Sequence, residues 1–411
     1  MINPFDPLPI DIGFRPIRFG LLANELLRRG HTVTWLSSDF NHISKEYRRA
    51  DLLDSLPAGL KVILLHTNRY YKNVSFSRLI NHWQYCKQLT RWMENKSAPD
   101  GIIVSYPLIE AALISLAFGS RNYVPVIVDI MDIWPEVYLM AFPRSIRRIA
   151  RVLLRSEFRK AKKVFTLANN CVAVSQKYLT YAQSYRRMSK FKYSQVHYLG
   201  CDPDLSVPNE EGFNKLILLG INPSDINFTF IGTLSVSYDI DCLLDTAQYI
   251  ERYYPRVKYI IGGEGPLRNL WQTKAKKLKL KNVKFIGFVD STLFGSLLKH
   301  SFAGLATYAP GAFQSIPNKP VEYLAFGLPV ISSLVGEFEE LIERTNVGVS
   351  YKAGNVASLI DAIRKLLDDP LFTGDCRRKA RELFIQQFLA KNIYSRYVDD
   401  LEQLFGGKAI H

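Results

Sequence analysis

The residues with most chemistry at close spacing lie between positions 310 and 331, PGAFQSIPNKPVEYLAFGLPVI. Pro310 and Gly311 break whatever precedes, and Pro317 and Pro320 bracket Asn318 and Lys319 in a stiff turn. The spacing predicts a short helix over residues 321–325, ended by Gly327, with Pro329-Val330-Ile331 re-entering a strand. The start of such a helix offers unpaired backbone N–H groups and the positive end of the peptide dipoles, which together attract an anion. Lys319 adds a cation at that mouth, and Glu322 stands one turn inside as a fixed carboxylate. The combination suits a ligand with phosphate at one end and sugar hydroxyls beside it. The same spacing also fits an ordinary proline-punctuated helix start in an α/β domain.

The run resembles the donor-binding signature of the family 4 retaining glycosyltransferases. In that family two Glu residues stand eight positions apart, and the second matches Glu322, followed here by Tyr-Leu-Ala-Phe-Gly-Leu-Pro-Val. The first falls at Gln314, where this sequence departs from the pattern. A glutamine still hydrogen-bonds sugar hydroxyls but brings no charge to an oxocarbenium-like centre. The resemblance implies an α/β chain with the GT-B fold: two Rossmann-like, doubly wound domains facing a cleft, the C-terminal helix crossing back to the N-terminal domain. On that reading residues 1–205 form an acceptor- and membrane-facing domain, 206–388 the nucleotide-sugar domain, and 389–411 the returning helix.

Other family elements follow in the second half. Asn227 to Gly232 reads as a strand entering a glycine turn, where many relatives place an Arg after the glycine and a Lys five residues later to hold the donor diphosphate. Here Thr233 and Tyr238 occupy those positions. Lys319 and the helix start must then carry more of the diphosphate, with Arg15 or Arg18 as helpers from the other domain. Gly265, in Gly-Gly-Glu-Gly-Pro, resembles the family's second glycine turn, and Phe288, after the strand 283–287, resembles the residue against the nucleotide base. The implied donor set is Gly13, Gly232, Thr233, Gly265, Phe288, Asn318, Lys319 and Glu322, with Gln314 facing the transferred sugar.

The first half alternates strands and helices, which implies a parallel sheet covered on both faces, with ligands beyond the C-terminal strand ends. Strands are expected at 32–36, 61–65, 101–105, 124–129, 163–167 and 172–175, and an amphipathic helix over 15–29. Only Met1-Ile2 precede Asn3-Pro4, so the first strand is either very short or already under way at Met1. Gly13 lies in the following loop, where it approaches a diphosphate or merely turns the chain. Asp129-Ile-Met-Asp132-Ile-Trp134-Pro135 follows an apolar strand and resembles the D-x-W-P segment of a bacterial polysaccharide-assembly branch of the family. Asp132 is carried over as the acceptor-side catalytic group, with Asp129 second; the alternative is that Asp132 caps the next helix.

Charge divides the chain. The formal net charge is +15, and residues 1–200 hold 29 Lys and Arg against 14 Asp and Glu, while the remainder holds 24 of each. The excess concentrates at Arg144, Arg147, Arg148, Arg151, Arg155, Arg159, Lys160, Lys162 and Lys163, interleaved with apolar residues and opposed within that span only by Glu157. A second basic and aromatic run covers 185–193. Basic amphipathic surface of this kind suits anionic headgroups or a pyrophosphate-linked substrate, a solvated helix face, or, last, nucleic acid.

Five scattered cysteines without C-x-x-C spacing argue against a disulfide framework or zinc site and for a reducing cytosol. No secretory leader, no stretch of about 20 apolar residues and no metal constellation are visible. The implied protein is a metal-independent, cofactor-free, retaining glycosyltransferase on the cytoplasmic face of a bacterial inner membrane. It takes sugar from a nucleotide-diphosphate sugar, UDP-sugar foremost, to a lipid-pyrophosphate-linked glycan in O-antigen, capsule or exopolysaccharide synthesis. Two rivals share the architecture. A sugar-nucleotide 2-epimerase would form product from donor alone, and a non-catalytic binding protein would bind donor without turnover.

Overall fold

The computed structural model describes residues 1–11, 15–72, 75–94, 96–140, 142–186, 189–203 and 207–406, the side chains of Met140 and Arg144 apart. It divides into two compact units, Met1–Tyr198 together with Lys391–His411, and Leu199–Ala390. Gly13 lies outside the described residues.

The first unit carries β1 (Val33–Ser38), β2 (Leu60–Leu65), β3 (Ile102–Tyr106), β4 (Val126–Ile130), β5 (Asn170–Ala173) and β6 (Tyr193–Val196). Its helices are α1 (Arg18–Arg28), α2 (Phe76–Glu94), α3 (Ile109–Asn122), α4 (Glu136–Met140), α5 (Arg147–Leu153), α6 (Arg155–Leu167) and α7 (Gln176–Ser184). β1 and β2 pair in parallel, and β3, β4, β5 and β6 form a second parallel sheet in that order. β3 and β4 are buried at every residue, as their unbroken apolar runs require for strands covered on both faces. The expected first strand is reduced to Ile2, which bridges Leu36 of β1 and Val104 of β3.

Two sequence expectations fail here. Residues 163–167 are helical, as the last turn of α6. Val164 and Phe165 are buried with Ala161, a spacing of three and four residues, so one helical face accounts for the apolar pair that read as a strand. The run 185–193 is not simply a surface patch either. Phe191 is buried, and Arg186 donates to the carbonyls of Phe165 and Ala168, closing the C-terminal end of α6.

The second unit holds α8 (Glu210–Leu218), β7 (Ile226–Ile231), α9 (Ile240–Tyr253), β8 (Val257–Gly262), α10 (Arg268–Lys277), β9 (Val283–Gly287), α11 (Ser291–Lys299), β10 (Ala303–Ala306), α12 (Asn318–Ala325), β11 (Val330–Ser332), α13 (Glu337–Thr345), β12 (Gly348–Ser350), α14 (Val356–Asp368) and α15 (Pro370–Leu383). All six strands are parallel, in the order β12-β11-β10-β7-β8-β9. Phe228, Phe230, Leu243, Tyr259 and Leu305 anchor its core.

The last helix, α16 (Ala390–Gly406), counts with the first unit from Lys391 onward. A buried network holds it there. Arg18 of α1 forms a two-pronged ion pair with Asp129 of β4, at 2.8 Å from Nε to Oδ2 and 2.9 Å from Nη2 to Oδ1, with neither side chain exposed. Arg18 also donates to the His197 carbonyl at 2.7 Å, and Tyr397 of α16 donates to Asp129 at 3.2 Å. The His197 ring stacks on Tyr397 and pairs with Asp400 at 2.7 Å. Arg29 adds contacts to Asp399 at 2.6 Å and Glu402 at 3.0 Å. Asp129 and Arg18 therefore do structural work: each is sealed against the other, which corrects their expected roles beside acceptor and diphosphate.

Candidate functional site

In the second unit the loops after successive strands converge. The Gly232 amide donates to the Gly262 carbonyl at 2.9 Å, Leu234 to Glu264 at 2.8 Å, and Gly263 to Gly287 at 2.6 Å, lacing the turns after β7, β8 and β9 together. Glycine is required at this approach: a Cβ on Gly263, whose φ is +128°, would stand 1.9 Å from the Gly232 carbonyl oxygen. Gly265 meets the Leu234 backbone in the same way, at 2.3 Å. Gly232 and Gly265, both selected from sequence, serve close turn packing with Gly263, and the surface they leave is backbone.

α12 is longer than expected, running from Asn318 with Pro317 as its extended N-cap. Tyr323 seats it: its ring fills the space above Gly304, and its hydroxyl accepts from the Ile231 amide at 3.2 Å. Lys319, in the first turn, lies across Gly232, where a Cβ would be 2.2 Å from Lys319 Cε. Its Nζ donates to the Tyr238 hydroxyl and sits 4.4 Å from the Tyr238 ring centroid. Position 238, where the family resemblance implies a Lys, is thus filled by the ring that receives the Lys319 ammonium. Tyr238 reaches this place because residues 237–239 pair with the end of the β10 loop, through an antiparallel bridge from Tyr238 to Tyr308 and the Asp239 amide to the Thr307 carbonyl at 3.0 Å.

Around that centre, Asn318 and Thr233 are exposed and Glu322 is half-buried. Burial first, then the neighbouring tyrosines Tyr238 and Tyr323 and the Glu322 charge, push the Tyr308 hydroxyl well above its ordinary pKa. The Gln314 side-chain oxygen is buried with no hydrogen-bond partner, an acceptor waiting for a donor such as a sugar hydroxyl. Phe288 stands 68% exposed after β9, a free ring face. Sequence reasoning missed Arg268. It pairs with Glu264 at 2.8 Å beside Gly287, and its buried Nε has no partner. Only its place after a glycine turn could have flagged it.

The first unit gathers a second group of polar side chains beyond its strand ends. Asp132 follows β4, and its carboxylate accepts from the Ile133 amide at 2.8 Å and the Trp134 indole at 3.2 Å, not from the first turn of α4. The helix-cap alternative is therefore wrong. Burial pushes the Asp132 carboxyl above its ordinary pKa. The Arg78 guanidinium lies 5.3 Å from the Trp134 ring, 5.8 Å from Tyr70 and 5.9 Å from Phe5, and Lys45 Nζ is 4.5 Å from the same Tyr70 ring. His82 is stacked on Trp134, and His42 bonds the Tyr70 hydroxyl at 2.5 Å. Burial first, then these cations, push both imidazoles down to about 3, so they are neutral at physiological pH. Apart from Asp132 and Trp134, none of this group was selected from sequence, since Phe5, His42, Lys45, Tyr70, Arg78 and His82 come from separate loops and helices.

The basic segment is exposed as expected, and so are its apolar residues. In and beside α5, Ile149, Val152 and Leu153 are 64%, 70% and 74% exposed, and only Ala150 is buried. Arg148, Arg151, Arg155 and Arg159 are exposed, Arg147 donates to the Phe142 carbonyl, and Arg144 opens the short turn before α5. Phe76, Leu79 and Trp83 form another exposed apolar row on α2. No helix among the described residues is long and apolar enough to cross a membrane.

Residues 218–383 match the profile of the family described as "Glycosyl transferases group 1". That stretch of the chain is similar to the group 1 glycosyltransferases. A glycogen synthase of Mycobacterium tuberculosis is 26% identical over 160 residues, covering 39% of this chain and 38% of that protein. The chain thus spans about two-fifths of such a relative's length. Among solved structures, Anabaena Alr3699/HepE in complex with UDP-glucose aligns over 98% of both chains at a TM-score of 0.67 and 16% identity. WaaG, a glycosyltransferase involved in lipopolysaccharide biosynthesis, aligns over 98% of this chain and 97% of its own at a TM-score of 0.64 and 14% identity. These likenesses establish the GT-B fold, two Rossmann-like domains.

Proposed function

We propose that the chain is a retaining glycosyltransferase that uses a nucleotide-diphosphate sugar and needs no metal ion or other cofactor. The observation that carries the reading is Lys319 laid over Gly232 at the start of α12, beside laced glycine turns. There, α12 N–H groups and Lys319 hold the diphosphate and stabilise the charge that grows on it as the sugar leaves. Glu322 takes ribose hydroxyls, Phe288 the base, and Gln314 the transferred sugar. Gly232, Thr233, Gly265 and Asn318 line the same pocket of backbone. UDP is the assigned nucleotide, supported by the likeness to a fold that binds UDP-glucose.

The acceptor is a lipid-pyrophosphate-linked glycan of bacterial surface polysaccharide synthesis. Asp132 sits at the attacking hydroxyl, and the Arg78–Lys45 pair receives acceptor phosphate. An Asp132→Asn variant should lose at least about tenfold in transfer while donor affinity holds, checked by kcat against donor Kd. The wild-type rate should fall with acidification at a pH above the ordinary carboxylate range, because burial raises that pKa.

The exposed cations and apolar side chains of α5 and α2 dock the protein on the cytoplasmic face of the inner membrane. Sedimentation with anionic vesicles should show binding that weakens several-fold between about 0.05 and 0.5 M salt. Arg148→Glu/Arg151→Glu should abolish it, and binding unchanged by either would contradict the reading. The uncharged residues at 233, 238 and 314 favour one rival, a binding protein without turnover. Sugar transfer to a lipid-linked acceptor separates the two.

A further inference from the structure

One hydrogen beside the start of α12 has no acceptor. The Lys319 ammonium carries only donors, so in its bond to Tyr238 the phenol oxygen must accept. The phenol's own O–H is then left over, and among the described residues no group accepts it. The nearest polar neighbour is the Tyr308 hydroxyl. Burial first, and then Tyr238, hold the proton on Tyr308, which makes Tyr308 a donor towards Tyr238 and not an outlet for its hydrogen.

The leftover hydroxyl is also fixed in place. The Tyr238 ring packs edge-on to Phe230 at 5.0 Å between centroids and lies 5.1 Å from the Tyr308 ring. On either side of it in the chain, the Ala309 amide donates to the Ser237 carbonyl at 2.9 Å and the Asp239 amide to the Thr307 carbonyl at 3.0 Å. Asp239 is tied down in turn, accepting from the Gly354 amide at 2.6 Å and the Tyr351 hydroxyl at 3.3 Å. Tyr238 and Lys319 are both partly exposed, so a ligand can reach the pair. A donor held this way suits an oxygen anion. Phosphate oxygens accept O–H groups in short, charge-assisted bonds, and the bond received from Lys319 polarises the phenol and strengthens its own donation.

We propose that the Tyr238 hydroxyl is a second side-chain donor to the leaving diphosphate, giving its hydrogen to a phosphate oxygen while its oxygen steadies Lys319. The role rests on the reading of α12 as the nucleotide-sugar site, to which it adds a neutral group beside the cation. A fixed donor gains strength as charge grows on the departing diphosphate, so it speeds transfer and tightens UDP.

Isothermal titration of UDP into wild type, Tyr238→Phe, Lys319→Ala and the double variant tests the role, with Tm recorded for each. Phenylalanine keeps the ring beneath the ammonium and its packing on Phe230, so Tm should stay within about 2 °C of wild type. Tyr238→Phe should weaken UDP about tenfold and lower kcat for transfer by a similar factor. In the Lys319→Ala background the same change should still cost at least about threefold, because the hydroxyl meets phosphate directly. No loss in that background would overturn the proposal and leave Tyr238 as a support for Lys319 alone. UDP affinity within about twofold of wild type for Tyr238→Phe would overturn it too. Wild type that binds no UDP would instead remove the nucleotide-sugar reading itself, and this role with it.

Discussion

Replacing Lys319 with alanine should lower kcat/KM for sugar transfer by about 10²–10³-fold, with the larger share in kcat. The reason lies in what surrounds it. The family resemblance implies two further cations at the donor diphosphate, and this chain has Thr233 and Tyr238 at those positions. Lys319 already reaches the Tyr238 hydroxyl and lies over Gly232, so on the proposed function its ammonium is the cation left to meet the diphosphate. A Lys319→Arg variant keeps the charge, but its longer planar head cannot occupy the same contact above Gly232, so it should recover activity only in part. Thermal unfolding of all three proteins guards against a folding artefact. Activity within threefold of wild type for Lys319→Ala would remove the proposed diphosphate site.

The largest stability effect is expected at the opposite kind of residue, one with no part in chemistry. Arg18→Met leaves Asp129 buried with its main cation gone, and breaking such a pair costs about 3–5 kcal/mol. At roughly 2–4 °C per kcal/mol for a domain of this size, Tm of the first unit should fall by about 10 °C. The double variant Arg18→Met/Asp129→Leu should regain most of the loss, because the uncompensated charge is removed as well. Differential scanning calorimetry on wild type, Arg18→Met, Asp129→Leu and the double variant gives the cycle. A single variant as stable as wild type would show that the pair does not hold α16 in place.

These two predictions rest on features of unequal legibility. The donor loop could be read because its meaning is local: prolines, a glycine stop, Lys319 and Glu322 fall within one turn and its approach. Even so, α12 starts three residues before the expected position, since Asn318 and Lys319 were assigned to the turn instead of to the helix. The Arg18–Asp129 pair spans 111 residues and carries no local signal, so Asp129 read as a ligand group by its place after an apolar strand. Lys163 to Leu167 misled for another reason. Its β-branched and aromatic residues suit a strand, but tertiary burial of Ala161, Val164 and Phe165 on one face decides for helix. The group of Phe5, Lys45, Tyr70, Arg78 and His82 around Trp134 assembles from segments that no periodicity connects. Only Asp132 and Trp134, adjacent in sequence, could be selected in advance.

The central claim is that the second unit holds a nucleotide-diphosphate sugar through α12. Isothermal titration of UDP-sugars and GDP-sugars into the wild-type protein and into Glu322→Ala tests it most directly. One nucleotide family, UDP by this account, should bind wild type at a single saturable site and bind the variant at least about tenfold more weakly. Equal affinity for both proteins, or no binding of any nucleotide sugar to the wild type, would contradict it.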